Sequence, residues 1–187
     1  MAMRSCKIGL GVLICLLAVV STSLSSSLTM VFTASRVLAQ SNTDRKAEAD
    51  RLNELGLQQA QDSQYEIALQ SWEQALKIYR EIKHRKGEGA ALGNLAIGYN
   101  YLGNYPKAIE YHEQSLAIAR EIKDRKNEVA ALTNLGLVYD ALGNYTKAIE
   151  YHEQSLAITR EIKDRNDEGF ALNNLGIAYH ALGNYPK

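Results

Sequence analysis

Cysteine, proline, phenylalanine and tryptophan are all scarce in this 187-residue chain, at two, two, two and one residues. Both cysteines, Cys6 and Cys15, lie in the first fifteen residues, so from residue 16 onward there is no disulfide and no thiolate metal ligand. Whatever fold the rest adopts must hold by packing. Few prolines beside abundant Ala, Leu, Glu, Lys and Gln suit long helices. Acidic residues are absent from 1–43, where Arg4, Lys7 and Arg36 supply all the charge. The whole chain is formally neutral. Without those three basic residues, 18 basic side chains face 21 acidic ones, a net of −3. This is a mildly acidic surface without the basic field that draws a protein to nucleic acid, and no nucleic-acid partner is expected.

The N-terminal pattern reads as an export signal. Arg4 and Lys7 precede an apolar run from Ile8 to Val20, 13 residues long and short of the roughly 20 that a spanning helix needs. A Ser/Thr-rich stretch and Val37-Leu38-Ala39 follow, which places a cleavage after Ala39. A signal peptide over 1–39 is longer than the usual ~15–30 residues. An uncleaved anchor through residues 8–20, or an unrelated tail, therefore stays open. The expected location is the periplasm or the exterior, with the membrane involved only if the segment is retained. Cys15 follows Ile14 and Cys6 precedes the apolar run, which argues against lipidation.

Self-similarity sets the architecture. Leu95, Leu135 and Leu175 are 40 residues apart, as are Gly103, Gly143 and Gly183, and Tyr105, Tyr145 and Tyr185. Residues 91–130 and 131–170 agree at 28 of 40 positions. The period reaches back through Leu55, Tyr65, Ala68, Leu76 and Ile78. Windows of about 48–87, 88–127, 128–167 and 168–187 follow, the last incomplete. The chain stops at Lys187, where another second helix should begin, and so reads as a truncated sequence in which Leu172, Leu175 and Tyr179 lack a partner from their own repeat.

Each period holds two amphipathic helices. Leu132, Leu135, Gly136, Tyr139 and Leu142 recur at spacings of three and four and share a face. Gly143-Asn144 ends the first helix, since glycine takes the left-handed cap conformation without penalty. Tyr145, Ala148, Ile149, His152, Ser155, Leu156 and Thr159 mark the inner face of the second. Pro106 falls in a first helical turn, and Asp124 and Asp164 are expected N-caps. One such hairpin cannot bury its apolar face alone, so neighbours must stack.

These residues resemble the tetratricopeptide-repeat family: Leu132, Leu135-Gly136, Tyr139, Ala148, His152 and Ser155, preceded by Leu92, Leu95-Ala96, Tyr99, Ala108, His112 and Ser115. Leu55-Gly56, Ala68, Trp72 and Ala75 match in the first repeat. The 40-residue period, with Leu-Gly-Asn-Tyr and Glu-Tyr-His-Glu-Gln, is similar to the kinesin-light-chain-like subfamily. The resemblance covers roughly residues 45–187. It implies an all-α solenoid of stacked antiparallel hairpins and a non-catalytic scaffold that binds a protein or peptide without a cofactor. Arg120 and Arg160 depart from the family's helix-ending proline and are expected to allow a longer second helix.

In such repeats the first helices line a concave groove. The resemblance maps it to Asn53, Leu57, Ala60 and Gln61, then Gly93, Asn94, Ile97, Asn100 and Tyr101. Next come Thr133, Asn134, Leu137 and Asp140, and finally Asn173, Asn174, Ile177 and His180. Asn94, Asn134 and Asn174 form a ladder whose carboxamides can pair with a bound main chain, or else bond the neighbouring helix; Glu54 stands at that place in the first repeat. No Lys or Arg occupies the positions with which related repeats clasp a carboxylate (Gly93, Ile97, Thr133, Leu137, Asn173, Ile177). An extended segment with apolar side chains is expected in preference to an acidic tail.

Other motifs carry less. His112 and His152 lack a second histidine at helical spacing, so they read as packing residues equivalent to Trp72, with no metal implied. Gly87-x-Gly89-x-x-x-Gly93 follows no strand and reads as chance, not a dinucleotide loop. Lys83–Lys86 and Lys123–Lys126 read as solvated loops, and paired carboxylates as helix-surface charge. Two other functions remain open: a sensor region of a larger enzyme, such as a CHAT-type protease with its catalytic domain beyond Lys187, and a self-stacking envelope scaffold.

Overall fold

Helix-favouring composition becomes helices of uniform length. The computed structural model describes residues 39–183. The expected signal segment 1–39, apart from Ala39, lies outside them. The chain falls into two units, Met1–Asp44 and Arg45–Lys187, and the repeats belong to the second. Helix α1 covers 39–61. Six helices of 17 residues follow: α2 (Tyr65–Glu81), α3 (Arg85–Tyr101), α4 (Tyr105–Glu121), α5 (Arg125–Ala141), α6 (Tyr145–Glu161) and α7 (Arg165–Ala181). No strand occurs among the described residues, and no helix there is long and apolar enough to cross a membrane.

Short polar joints set these lengths. Asn104 and Asn144 cap α4 and α6 by accepting from the Lys107 and Lys147 amides; Asp124 and Asp164 do so for the Asn127 and Asp167 amides of α5 and α7. Each cap satisfies a donor that the first turn leaves unpaired. His84 does the same for α3, its Nδ1 accepting from the Gly87 amide at 3.0 Å. Pro106 sits in the first turn of α4. At the helix ends, Gly103, Gly143 and Gly183 take the left-handed conformation with φ of 73, 71 and 77°. Behind Gly143, the Asn144 amide donates to the Tyr139 carbonyl at 2.9 Å and closes the turn. In the alternate joints Lys83, Lys123 and Lys163 hold the same conformation at φ of 56–58°.

The hairpins α1/α2, α3/α4 and α5/α6 stack in chain order, with α7 packed on α6, α3 beside α5 and α5 beside α7. Their joints lie at 82–84, 122–124 and 162–164, a few residues ahead of the windows drawn from the sequence. The core runs along the stack as three clusters, with the partly buried Ile109 packed against all of them. One cluster joins Leu52, Trp72, Leu76, Tyr79, Leu92 and Leu95; a second holds Leu116, Val129, Leu132, Leu135 and Ile158; a third holds Tyr139, Ala148, Ile149, Leu175 and Ala178.

One expectation needs correction. Leu142 is exposed because it is the C-cap residue, one place past the last helical turn. Leu175 and Tyr179 pack against α6 of the preceding repeat, where the Tyr179 hydroxyl donates to Glu153 at 3.0 Å, while Leu172 stays exposed. Arg120 and Arg160 stand in the last turns of α4 and α6, so both helices run through the place of the family's helix-ending proline. Their guanidinium groups cross to the next hairpin, where Arg120 Nε donates to Glu128 and Arg160 Nε to Glu168, each at 3.0 Å.

Candidate functional site

What a side chain on this framework can do depends on whether packing has already used it. The largest residue facing the first helix of each hairpin is Trp72, His112 or His152, all essentially inaccessible. Trp72 Nε1 donates to the Asn53 carbonyl at 3.2 Å. His152 Nε2 lies 3.1 Å from Asp140 Oδ2, while Nδ1 of both His112 and His152 makes no hydrogen bond. Burial pushes the pKa of His112 down to about 4. The histidines therefore fill hairpin interiors, as their place in the period implied. Gly136 makes room for one of them, since a Cβ there would fall 2.3 Å from His152 Cε1. Gly56 stands to Trp72 in the same way, at 2.4 Å from Nε1.

The mapped partner-facing residues divide into used and unused. Asn94 Nδ2 donates to Asn53 Oδ1 at 2.9 Å, so this rung joins α3 to α1. Tyr101 stacks on Tyr65 at the start of α2, ring centroids 4.6 Å apart and 9° from parallel, so its ring is turned onto a second helix. Asp140 leans toward α6 through His152. Thr133 Oγ1 lies 2.9 Å from Ser155 Oγ. By contrast, Asn134 and Asn174 are half-buried with no side-chain hydrogen bond among the described residues. Beside them Leu137 and Ile177 are 43% and 57% exposed. Ile97 and Asn100 are half-buried, and His180 is exposed.

Several hollows lie along the repeats. A cleft of about 180 Å³ between α5 and α7 is lined by Val129, Ala130, Thr133, Asn134, Asp167 and Phe170. A shallow one of about 440 Å³ follows Asn173, Ile177 and His180 on α7. Another, of about 820 Å³, spans the joints at 122–124 and 162–164 with the first turns that follow, and carries Lys86, Lys123, Lys126 and Lys163 beside Asp124 and Asp164. Its lysines are exposed, as solvated loops require. Gly87 and Gly89 fall in the first turn of α3, and a Cβ on Gly87 would lie 2.4 Å from the Tyr79 ring. That glycine admits a neighbour.

An ionic ladder escaped the sequence reading. Glu88 and Glu128 are buried, not surface charges. Each is held between an arginine from the preceding helix, Arg80 or Arg120 at 3.0 Å, and one three residues upstream, Arg85 at 2.6 Å or Arg125 at 2.7 Å. Arg85 and Arg125 also pair with Glu121 and Glu161 at the far end of their own hairpins, and Arg45 pairs with Glu81. The hydrogen bond from Arg85 holds the Glu121 carboxyl below its usual range. The 40-residue recurrence of Arg80/Arg85/Glu88 was the available sign.

A family model described as "Tetratricopeptide repeat" matches residues 47–121 and 127–187. Among solved structures, aspartyl phosphate phosphatase F from Bacillus subtilis superposes with a TM-score of 0.72 at 20% identity, over 74% of this chain and 37% of that one. Nearly identical TPR-like repeats of a kinesin light chain from Podosopora anserina give 0.65 at 24%, over 74% and 69%. A signal transduction ATPase with numerous domains and a tetratricopeptide repeat sensor, from Pyrococcus horikoshii, gives 0.67 at 25%, over 75% and 22%. This chain thus spans about a third of the first and a fifth of the last. No curated protein matches the chain.

Proposed function

The chain belongs to the tetratricopeptide-repeat family, and from that premise we propose that it is a non-catalytic scaffold which holds a protein or peptide along its first helices. One observation carries the reading. Asn134 and Asn174 keep their carboxamides uncommitted beside the part-exposed Leu137 and Ile177, whereas Asn94, Tyr101, Thr133 and Asp140 are engaged within the chain. A carboxamide donates and accepts at once and so suits a main-chain amide, while the apolar neighbours suit the side chains between. Asn94, already bonded to Asn53, contributes less. With no cation among these positions, an extended segment is favoured over an acidic tail.

The test uses a peptide selected from a random library on the full chain. Asn134→Ala and Asn174→Ala should each weaken it roughly five- to tenfold, as the loss of about 1 kcal/mol per hydrogen bond implies. Unchanged affinity in both would end the reading. Export belongs to the same proposal. The N-terminal pattern of charge, apolar run and small residues supports it, and sequencing the protein recovered from producing cells should find Gln40 first.

A second reading is that these repeats are the sensor region of a larger protein. The Pyrococcus horikoshii relative carries a tetratricopeptide repeat sensor within a much longer chain. The complete open reading frame distinguishes the two readings.

A further inference from the structure

Helix α7 keeps the 40-residue period at its central packing residues and breaks it elsewhere. Leu175 and Ala178 repeat the buried pattern of α5. Two of the breaks stand out: Asp167 follows the buried Gly87 and half-buried Asn127, and Phe170 follows the exposed Ala90 and Ala130. Both changes reach one place, the 180 Å³ cleft whose opposite wall is Val129, Ala130, Thr133 and Asn134 of α5.

Neither residue serves the fold there. Phe170 is 65% exposed, so its ring buries little on this chain. Asp167 lies in the first turn of α7, where an acid is favoured by the helix dipole. That role is already filled. Asp164 caps the helix, and Glu168 in the same turn accepts from Arg160 and Arg165. The Asp167 carboxylate itself has no hydrogen bond or ion pair among the described residues. Among the groove positions mapped from the repeat pattern, Glu54 and Asp140 carry the same sign as Asp167, and none is Lys or Arg.

An aromatic ring and an uncommitted carboxylate on one wall of a small cleft complement a side chain with an apolar stem and a cationic head. We propose that the cleft between α5 and α7 is a specificity pocket for one basic side chain, arginine ahead of lysine, of an extended polypeptide whose main chain is held by Asn134. The guanidinium plane stacks on Phe170 and donates to Asp167, a pairing that an ammonium reproduces only as a point charge. A leucine would fill the space but desolvate the carboxylate without a partner. An acidic side chain is repelled. The pocket rests on the scaffold reading above and specifies its partner.

The full chain is panned against a displayed library of random peptides, in parallel with Asp167→Asn and Phe170→Ala, after circular dichroism has shown both variants as helical as the parent. The parent should enrich Arg or Lys at one fixed position. Changing that residue to Leu in the selected peptide should weaken binding about tenfold on the parent and hardly at all on Asp167→Asn, as loss of one charge-assisted bond implies. Phe170→Ala should weaken the arginine peptide several-fold, and added salt should weaken it on the parent. Apolar or acidic residues at every aligned position, or a basic preference that survives Asp167→Asn, would overturn the pocket and leave the scaffold intact. Enrichment of no peptide would remove both.

Discussion

Trp72, His112 and His152 hold one position in three successive hairpins, and the small residue set against each decides what fits. Gly56 and Gly136 stand against Trp72 and His152, and the corresponding residue for His112 is Ala96. A Cβ on Gly136 would fall against the fully buried His152 ring, which would have to shift. Gly136→Ala should therefore lose about 1–3 kcal/mol. Gly176→Ala, at the same place in α7 with nothing within 4 Å, should gain up to about 1 kcal/mol by restricting the unfolded chain. Urea unfolding of both variants checks the pair, and equal effects would contradict the ring contact. His112 sets a pH dependence. Its pKa is about 4 when folded against 6.5 when free, so between those values the unfolded chain binds a proton that the folded chain refuses. Stability is complete above pH 6.5 and falls toward pH 4, by at most about 3 kcal/mol. His112→Phe should flatten that slope; parallel profiles for the two proteins would remove the assignment.

At the level of elements, the joint between hairpins is ionic as well as apolar. Glu128 is 4% exposed and held by Arg120 and Arg125, both of which reach solvent. Removing the carboxylate leaves arginines that can hydrate; removing the arginines strands a buried charge. Arg120→Ala with Arg125→Ala should thus cost roughly 3 kcal/mol and Glu128→Gln about 1 kcal/mol. Denaturant titration that ranks them the other way would refute this account. Helix ends were legible because they are local: Asp124, Asn144, Pro106 and Gly143 act within four residues of where they stand. The inner faces were legible through spacing, and Leu142 misled only by standing one residue past its helix. The ladder was not legible. Arg125 and Glu161 are 36 residues apart and become neighbours only once a hairpin closes, and amphipathic patterning assigns every such charge to the surface. For the same reason the sequence left open whether Asn94 meets a partner or Asn53. Asp167 and Phe170 were visible as departures from the period, but only the fold brings them to one cleft with Asn134.

Over the array as a whole, each hairpin is stabilised by its neighbours, so protection should follow burial along the stack. Eight residues of α3 and eight of α5 are buried, but only Ala171, Leu175 and Ala178 of α7. Amide hydrogen exchange in α7 should run at least tenfold faster than in α5; uniform protection would mean that the array opens as one block. The recurring joint has a consequence for lineage. Residues 80–88 and 120–128 present the same arginines to the same glutamate, so unequal recombination that inserted or excised one forty-residue unit would leave no carboxylate stranded. Array length can then drift under little penalty, while outward positions such as 167 and 170 diverge, copy by copy, toward whatever each lineage binds.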